Sequence, residues 1–180
     1  MNDDFAARLA RISDLEVLRA VMVRSIGQLQ FPFLTPDQVA ASHKVMGLDT
    51  QLVKDGTYFM IESDGRVAGC GGWSFRATLY GGDESVVARE PERLDPATDA
   101  AKIRAMYTDP DFVRRGIGTQ IIQLCENAAR EAGFKRVELM ATAAGIPLYQ
   151  KQGYESSALE QFANIDGVQV PLLRMEKRLV

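Results

Sequence analysis

The sequence predicts an α/β domain built on a mixed sheet. Two hairpin signals, Asp64-Gly65 and Asp166-Gly167, each sit between runs with strand character and make their neighbours antiparallel. A strand, a glycine-bearing loop, a helix and a second strand follow one another from Ile103 to Ala141, which makes one pair parallel. Two capping boxes ahead of them open helices. The 180 residues suit a single domain, 1–180, able to bury roughly 70% of its unfolded surface.

Phe5 to Ala10 reads as a first strand. Ser13-Asp-Leu-Glu16 has the form of a capping box, and Leu15, Leu18, Met22, Ile26 and Leu29 follow at helical spacing. Thr35-Pro-Asp-Gln38 is a second box with Pro at the favoured first position, opening a shorter helix that ends near Gly47. Tyr58 to Glu62 and Val67 to Phe75 form the arms of the first hairpin. Residues 77–100, with Gly81-Gly82, Pro91, Pro96 and many charges, read as a long irregular connection, a type of loop that is functional or mobile. Ile103 to Thr108 is a short buried strand closed by Pro110, which lacks the N–H a central ladder needs. The next helix carries Ile121, Cys125, Ala128 and Ala132 on one stripe and stops at Gly133. Val137, Leu139 and Ala141 alternate as a strand, Ile146 to Gly153 is a short helix with its stop, and Leu172, Leu173 and Met175 lie in the last strand.

The organising stretch is Ile103 to Thr119. Gly116 and Gly118 lead straight into a helix whose first N–H groups and dipole favour an anion. Arg114 and Arg115 add positive charge beside them. A phosphate or pyrophosphate is the natural guest, although Gly-x-Gly before a helix is also a common tight turn. No Gly-x-x-x-x-Gly-Lys-Ser/Thr occurs, and a dinucleotide fingerprint would need Gly where Ile121 stands, although Glu138 lies at a suitable distance. A net charge of −3 argues against nucleic acid or an acidic membrane surface as partner. The two cysteines, Cys70 and Cys125, form no metal spacing and point to a reducing, cytoplasmic setting; one His excludes a multi-histidine metal centre. No window reaches the ~20 apolar residues of a membrane span.

Three motifs in order, Met106-x-Thr108-x-Pro110, Arg114-Arg-Gly-Ile-Gly-Thr119 and Leu148-Tyr149-x-Lys-x-Gly153-Tyr154, resemble the GNAT superfamily of N-acetyltransferases, which use acetyl-coenzyme A. The match covers about 100–155, with weaker similarity across the rest. The resemblance implies a mostly antiparallel central sheet, about four helices, acetyl-coenzyme A as cosubstrate without a metal, and a small-molecule or peptide amine as acceptor. It implies that Val113, Arg114, Arg115, Gly116, Ile117, Gly118 and Thr119 wrap the pyrophosphate, and that Met106, Tyr107 and Thr108 lie along the pantetheine arm. Met106 N–H would polarise the thioester carbonyl. Tyr149 would protonate the departing thiolate as general acid. The sequence departs from the family at Val113, where Gln or Arg is usual, at Thr142, where Asn is common, and on the organising strand, where Lys102 and Arg104 replace the usual Glu base.

Asp83, Glu84, Asp99 and His43 are candidate proton acceptors, with a water chain as an equal alternative, and solvated surface is the simpler reading of each. Trp73 and Phe75 are candidates for the acceptor pocket, with core packing the simpler role. Cys70 reads as a small buried filler rather than an acyl carrier, since no His partner stands near it in sequence. Three readings stay open: an N-acetyltransferase, a module that binds the coenzyme without catalysis, and transfer from another acyl donor such as succinyl-coenzyme A. The Asp166-Gly167 hairpin also offers an edge for pairing into a homodimer.

Overall fold

Two hairpins and one crossover build the sheet. The structure, a computed structural model, describes residues 5–156 and 161–179. Strands β1 (Ala6–Leu9), β2 (Tyr58–Ser63), β3 (Arg66–Ser74), β4 (Ala101–Thr108), β5 (Arg136–Thr142), β6 (Glu155–Ser156), β7 (Gln161–Ile165) and β8 (Val168–Arg178) join in the order β1-β2-β3-β4-β5-β8-β6, with β7 on β8. Every pair is antiparallel except β4 with β5. Among the described residues five helices flank it: α1 (Leu15–Leu29), α2 (Pro36–Val45), α3 (Thr50–Lys54), α4 (Ile117–Glu131) and α5 (Ile146–Lys151). The mixed, mostly antiparallel sheet expected from the sequence is present. Among the described residues no helix is long and apolar enough to cross a membrane.

The second capping box forms as written: Thr35 Oγ1 accepts from Gln38 N at 3.2 Å and Gln38 Oε1 accepts from Thr35 N at 3.0 Å. The first does not. Asp14 is taken by Arg8, whose guanidinium donates to both carboxylate oxygens at 2.8 and 3.0 Å, and by Arg11 N at 2.7 Å. The Arg8 bonds hold the Asp14 carboxyl down to about 2. These bonds close a single 3₁₀ turn, Ile12–Asp14, so α1 starts at Leu15 instead of after Ser13. Helix α3 was not expected; Asp49, which accepts from Gln51 N at 3.0 Å, was its only cap signal. On α4 the buried stripe runs through Ile117, Ile121, Ile122, Cys125 and Ala129, while Ala132 is exposed, because a 3.6-residue turn drifts off a strict four-residue step.

The core has three parts. Helix α4 packs Ile117, Ile121 and Ile122 on one sheet face with Ile61, Ile103 and Leu139. On the other face, α1 and α3 bring Leu18, Ile26 and Leu52 against Tyr58, Met60 and Tyr107. Ala41 and Val45 of α2 cover Val170 and Leu172.

Residues 77–100 are irregular but pinned. Arg76 pairs with Asp55 at 2.7 Å, Arg89 with Asp49 at 2.8 Å, and Thr78 N and Oγ1 both donate to Glu90 O. Gly82 lies so close to Gly47–Leu48 that a Cβ there would sit 2.7 Å from Gly47 C and Leu48 O, both main-chain atoms that have no room to yield. Gly82→Val should therefore lift this segment off the body. Amide exchange across 77–100 should lose protection while the sheet amides keep theirs; unchanged protection of the segment would show that the Gly47–Gly82 crossing does not dock it.

Candidate active site

β4 and β5 pair only at Ala101↔Val137 and Lys102↔Glu138. Beyond that point β5 stays on β8 as far as Thr142↔Leu172, and β4 stays on β3 as far as Thr108↔Gly69. The sheet splits, and a cleft opens between the strands. The fork is anchored by the buried Glu138 carboxylate, which accepts from Lys102 Nζ and, at 2.9 Å, from Arg174 Nε. Glu138, noted in the sequence for its distance from the glycine loop, is therefore part of the sheet's framework.

Two hollows fill the cleft. One is lined by Ser25, Leu29, Gln30, Gly118, Gly145 and Leu148 on the α4–α5 side. The other is lined by Val45, Gly47, Leu79, Tyr80, Arg104 and Leu172, towards α2 and the long loop. Met46, Met106, Tyr107, Thr142 and Tyr149 line both, so the hollows meet there.

The strand bulges at the junction. Ala105 and Met106 fall between the registers Arg104↔Gly72 and Tyr107↔Cys70, with Gly71 alone opposite them. Ala105 takes φ +51, a left-handed conformation that costs a non-glycine residue about 1 kcal/mol. Buried Tyr58 holds it there by donating to Ala105 O at 2.7 Å. Gly71 makes the space: a Cβ would come within 2.4 Å of Met106 Sδ and 2.7 Å of Ile121 Cγ2. Bulges re-aim backbone groups beside active sites. Gly69-Cys-Gly-Gly72 carried this signal in the sequence, since glycine within a strand marks a bulge or a close approach.

The glycine loop reaches the same cleft from α4. Arg114 (φ +65) and Gly116 (φ +82) are both left-handed, and Gly116 caps the helix. The first backward bond of α4 is Gln120 N to Gly116 O at 3.0 Å, which leaves the N–H groups of Ile117, Gly118 and Thr119 without an intrahelical acceptor. The two glycines do different work. A Cβ on Gly116 would meet nothing within 4 Å, so its role is the positive φ at an open mouth, whereas a Cβ on Gly118 would sit 2.6 Å from Leu148 Cδ2. Val113, Arg114 and Arg115 are exposed, with the Arg115 guanidinium 5.4 Å over the Phe112 ring, and Gln152 Nε2 reaches Thr119 Oγ1 at 3.3 Å.

Tyr149 is 8% exposed and packs its ring on Gly145 and edge-on to Tyr154. Its hydroxyl donates to no acceptor among the described residues. Burial pushes the phenol well above its ordinary value, so it stays protonated at neutral pH. Thr142 Oγ1 accepts from Gln30 Nε2 at 2.9 Å. Gln30 was not among the residues expected here; it lies more than a hundred positions away in sequence and no local pattern points to it.

Other candidates are placed elsewhere. The Tyr107 ring turns to the α1–α3 core and donates to Gly47 O at 3.1 Å, leaving its backbone in β4 beside Met106. Trp73 packs edge-on to Phe134 and Phe75, in the core and off the cleft. Cys70 and Cys125 are fully buried, and burial pushes the Cys70 thiol up to about 12. Asp83 accepts from Thr50 N and Oγ1 at 3.2 and 3.1 Å, Asp99 accepts from Asp95 N at 2.7 Å near the closed end of the fork, and Glu84 and His43 are exposed. None of the four lines the hollows. Arg104 does line one, but its guanidinium pairs with Asp49 at 2.6 Å and donates to Gly81 O at 2.6 Å, tying β4 to the long loop.

Comparison with known proteins agrees with this architecture. No match was found among curated proteins. Solved structures do superimpose. A GCN5-related N-acetyltransferase from Rhodopseudomonas palustris matches at TM-score 0.70 and 20% identity over 97% of this chain and 95% of its own. A ribosomal-protein-alanine N-acetyltransferase from Brucella melitensis matches at 0.64 and 20%, over 97% and 99%. The PaiA N-acetyltransferase from Thermoplasma acidophilum, in complex with coenzyme A, matches at 0.61 and 14%, over 97% and 99%. At these identities the likeness is one of fold. The sequence model of the acetyltransferase (GNAT) family matches residues 22–154, most of the chain, and covers both the forked strands and the glycine loop. The protein belongs to the GNAT family of acetyltransferases.

Proposed function

We propose that this chain is an N-acetyltransferase that moves the acetyl group of acetyl-coenzyme A to a primary amine, in a ternary complex and without an acyl-enzyme. The observation that carries the reading is the junction of two hollows at Met106 and Tyr149, one leading to the α4 N-terminus and the other to α2 and the long loop. The main-chain amides of 113–119 would hold the diphosphate at the open mouth beside Gly116. Met106 and Thr108 would pair through their backbone with the pantetheine arm in the gap that β5 vacates. The acceptor, a small molecule or peptide amine, would enter by the α2 side.

The neutral amine nitrogen attacks the thioester carbon and a C–N bond forms. The resulting oxyanion is met by Met106 N–H at the bulge, and the C–S bond breaks as the sulfur takes the Tyr149 proton. The nitrogen gives up its surplus proton to water, and water returns a proton to the Tyr149 oxygen, since among the described residues lining the hollows there is no carboxylate or imidazole. Cys70 takes no part, because its thiol is buried and its pKa is pushed to about 12.

Thiol release from acetyl-coenzyme A across an amine panel, at several pH values, tests this. The expected result is release that depends on the amine and rises with pH as the acceptor loses its proton. Coenzyme binding without release for any amine would favour a sensing module, release only from succinyl-coenzyme A would change the donor, and absence of binding would end the proposal.

A further inference from the structure

We infer that Gln30 and Thr142 together form a clamp for one amide group of the pantetheine arm, with Gln30 as a positioning residue that reaches the cofactor channel from the end of α1. The inference rests on the coenzyme reading above and adds a residue to it.

Gln30 is the C-terminal cap of α1 and is only 5% exposed. Its carbonyl accepts from both Phe33 N and Leu34 N, at 3.0 and 3.1 Å, which fixes the backbone where the side chain leaves it. Gln30 lines the same hollow as Gly118, Leu148 and Tyr149. There, Nε2 donates to Thr142 Oγ1 at 2.9 Å, across from α1 to the end of β5. Gln30 Oε1 is shut off from solvent and has no donor among the described residues. Buried acceptors are almost always satisfied, and an orphan costs free energy until a donor reaches it.

The donor–acceptor inventory then sets the ligand chemistry. A hydroxyl that accepts from Gln30 still has its own O–H to give, and the orphaned carbonyl still has lone pairs to fill. The pair therefore offers one donor and one acceptor side by side. If the carboxamide turns over, Thr142 donates to Oε1 and the offer is again one of each. A secondary amide presents the complementary pair, C=O and N–H, and pantetheine carries two such amides. Thr142 supplies only a hydroxyl, and Gln30 adds a carboxamide from another helix.

Titration calorimetry on the intact protein separates this from a structural role. Wild type, Gln30→Leu and Thr142→Val are each titrated with coenzyme A and with adenosine 3′,5′-bisphosphate, which occupies the phosphate loop but has no pantetheine. Each single variant should bind coenzyme A about 10-fold more weakly while bisphosphate affinity stays within about twofold. The double variant should lose little more than either single one, and Thr142→Ser should bind as wild type. Because Gln30→Leu deletes an orphaned polar atom, its Tm should not fall. Wild-type affinity for coenzyme A in both single variants, or equal weakening towards both ligands, would overturn the clamp and leave the acetyltransferase reading standing. A wild-type protein that binds neither would overturn that reading first.

Discussion

Tyr149→Phe should lower kcat for amine acetylation by roughly 10²-fold or more, the usual contribution of a positioned general acid, while KM for acetyl-coenzyme A moves less than about threefold. The geometry makes this a clean substitution. The phenol ring packs on Gly145 and against Tyr154 and keeps those contacts as Phe. Its hydroxyl has no partner to strand among the described residues. The ring lies where both hollows meet, so the lost atom is the one the proposed reaction draws its proton from. Burial holds the proton on the oxygen through the neutral range, so the wild-type enzyme should show no loss of rate from Tyr149 ionising below pH 10. Steady-state kinetics with a saturating acceptor provide the check. A kcat within twofold of wild type would remove Tyr149 from the chemistry and leave protonation of the thiolate to water.

Glu138→Leu should destabilise the fold by about 3–5 kcal/mol, because it leaves Lys102 charged and buried without its counter-ion. For a domain of this size that is a fall in Tm of roughly 10 °C. Lys102→Met in the same chain should recover much of the loss, since two apolar side chains replace the pair better than one charge replaces two. Glu138 also sets a pH dependence. Its bonds to Lys102 and Arg174 outweigh desolvation and hold its carboxyl below the ordinary range. Its contribution is therefore complete above the unfolded carboxylate value of about 4.3 and is lost as the pH falls through the lower folded value. Thermal melts of wild type, single and double variants from pH 3 to 7 would show both effects. A single variant within 1 kcal/mol of wild type would show that the fork of β4 and β5 does not depend on this pair.

Much of the scaffold was legible because its signals are local. Asp64-Gly65 and Asp166-Gly167 turn where expected, with φ of +49 and +50 at the two aspartates and +74 and +86 at the two glycines. Thr35 and Gln38 cap each other, and Gly116 takes the positive φ its position required. Where local signals and structure differ, a distant partner intervenes. Ser13 lost the helix start because Arg8 and Arg11 claimed Asp14, and Arg8 is itself drawn to Glu62 at 2.9 Å from the neighbouring strand. Asp99 stood as a candidate proton acceptor and Glu138 at the spacing of a dinucleotide fingerprint, yet one caps a turn and the other closes an ion cluster.

The amino-acid order by itself determined the hairpins, the crossover, the anion-ready start of α4 and the membership those motifs announce, because each depends on residues within a few positions of one another. Only the tertiary structure decided that β4 and β5 part after the Lys102↔Glu138 register, that Gly71 and Tyr58 hold a bulge at Met106, and that Gln30 meets Thr142 across the channel. Those are contacts between segments tens of residues apart. Their geometry comes from sheet register and close packing, and no spacing along the chain encodes them.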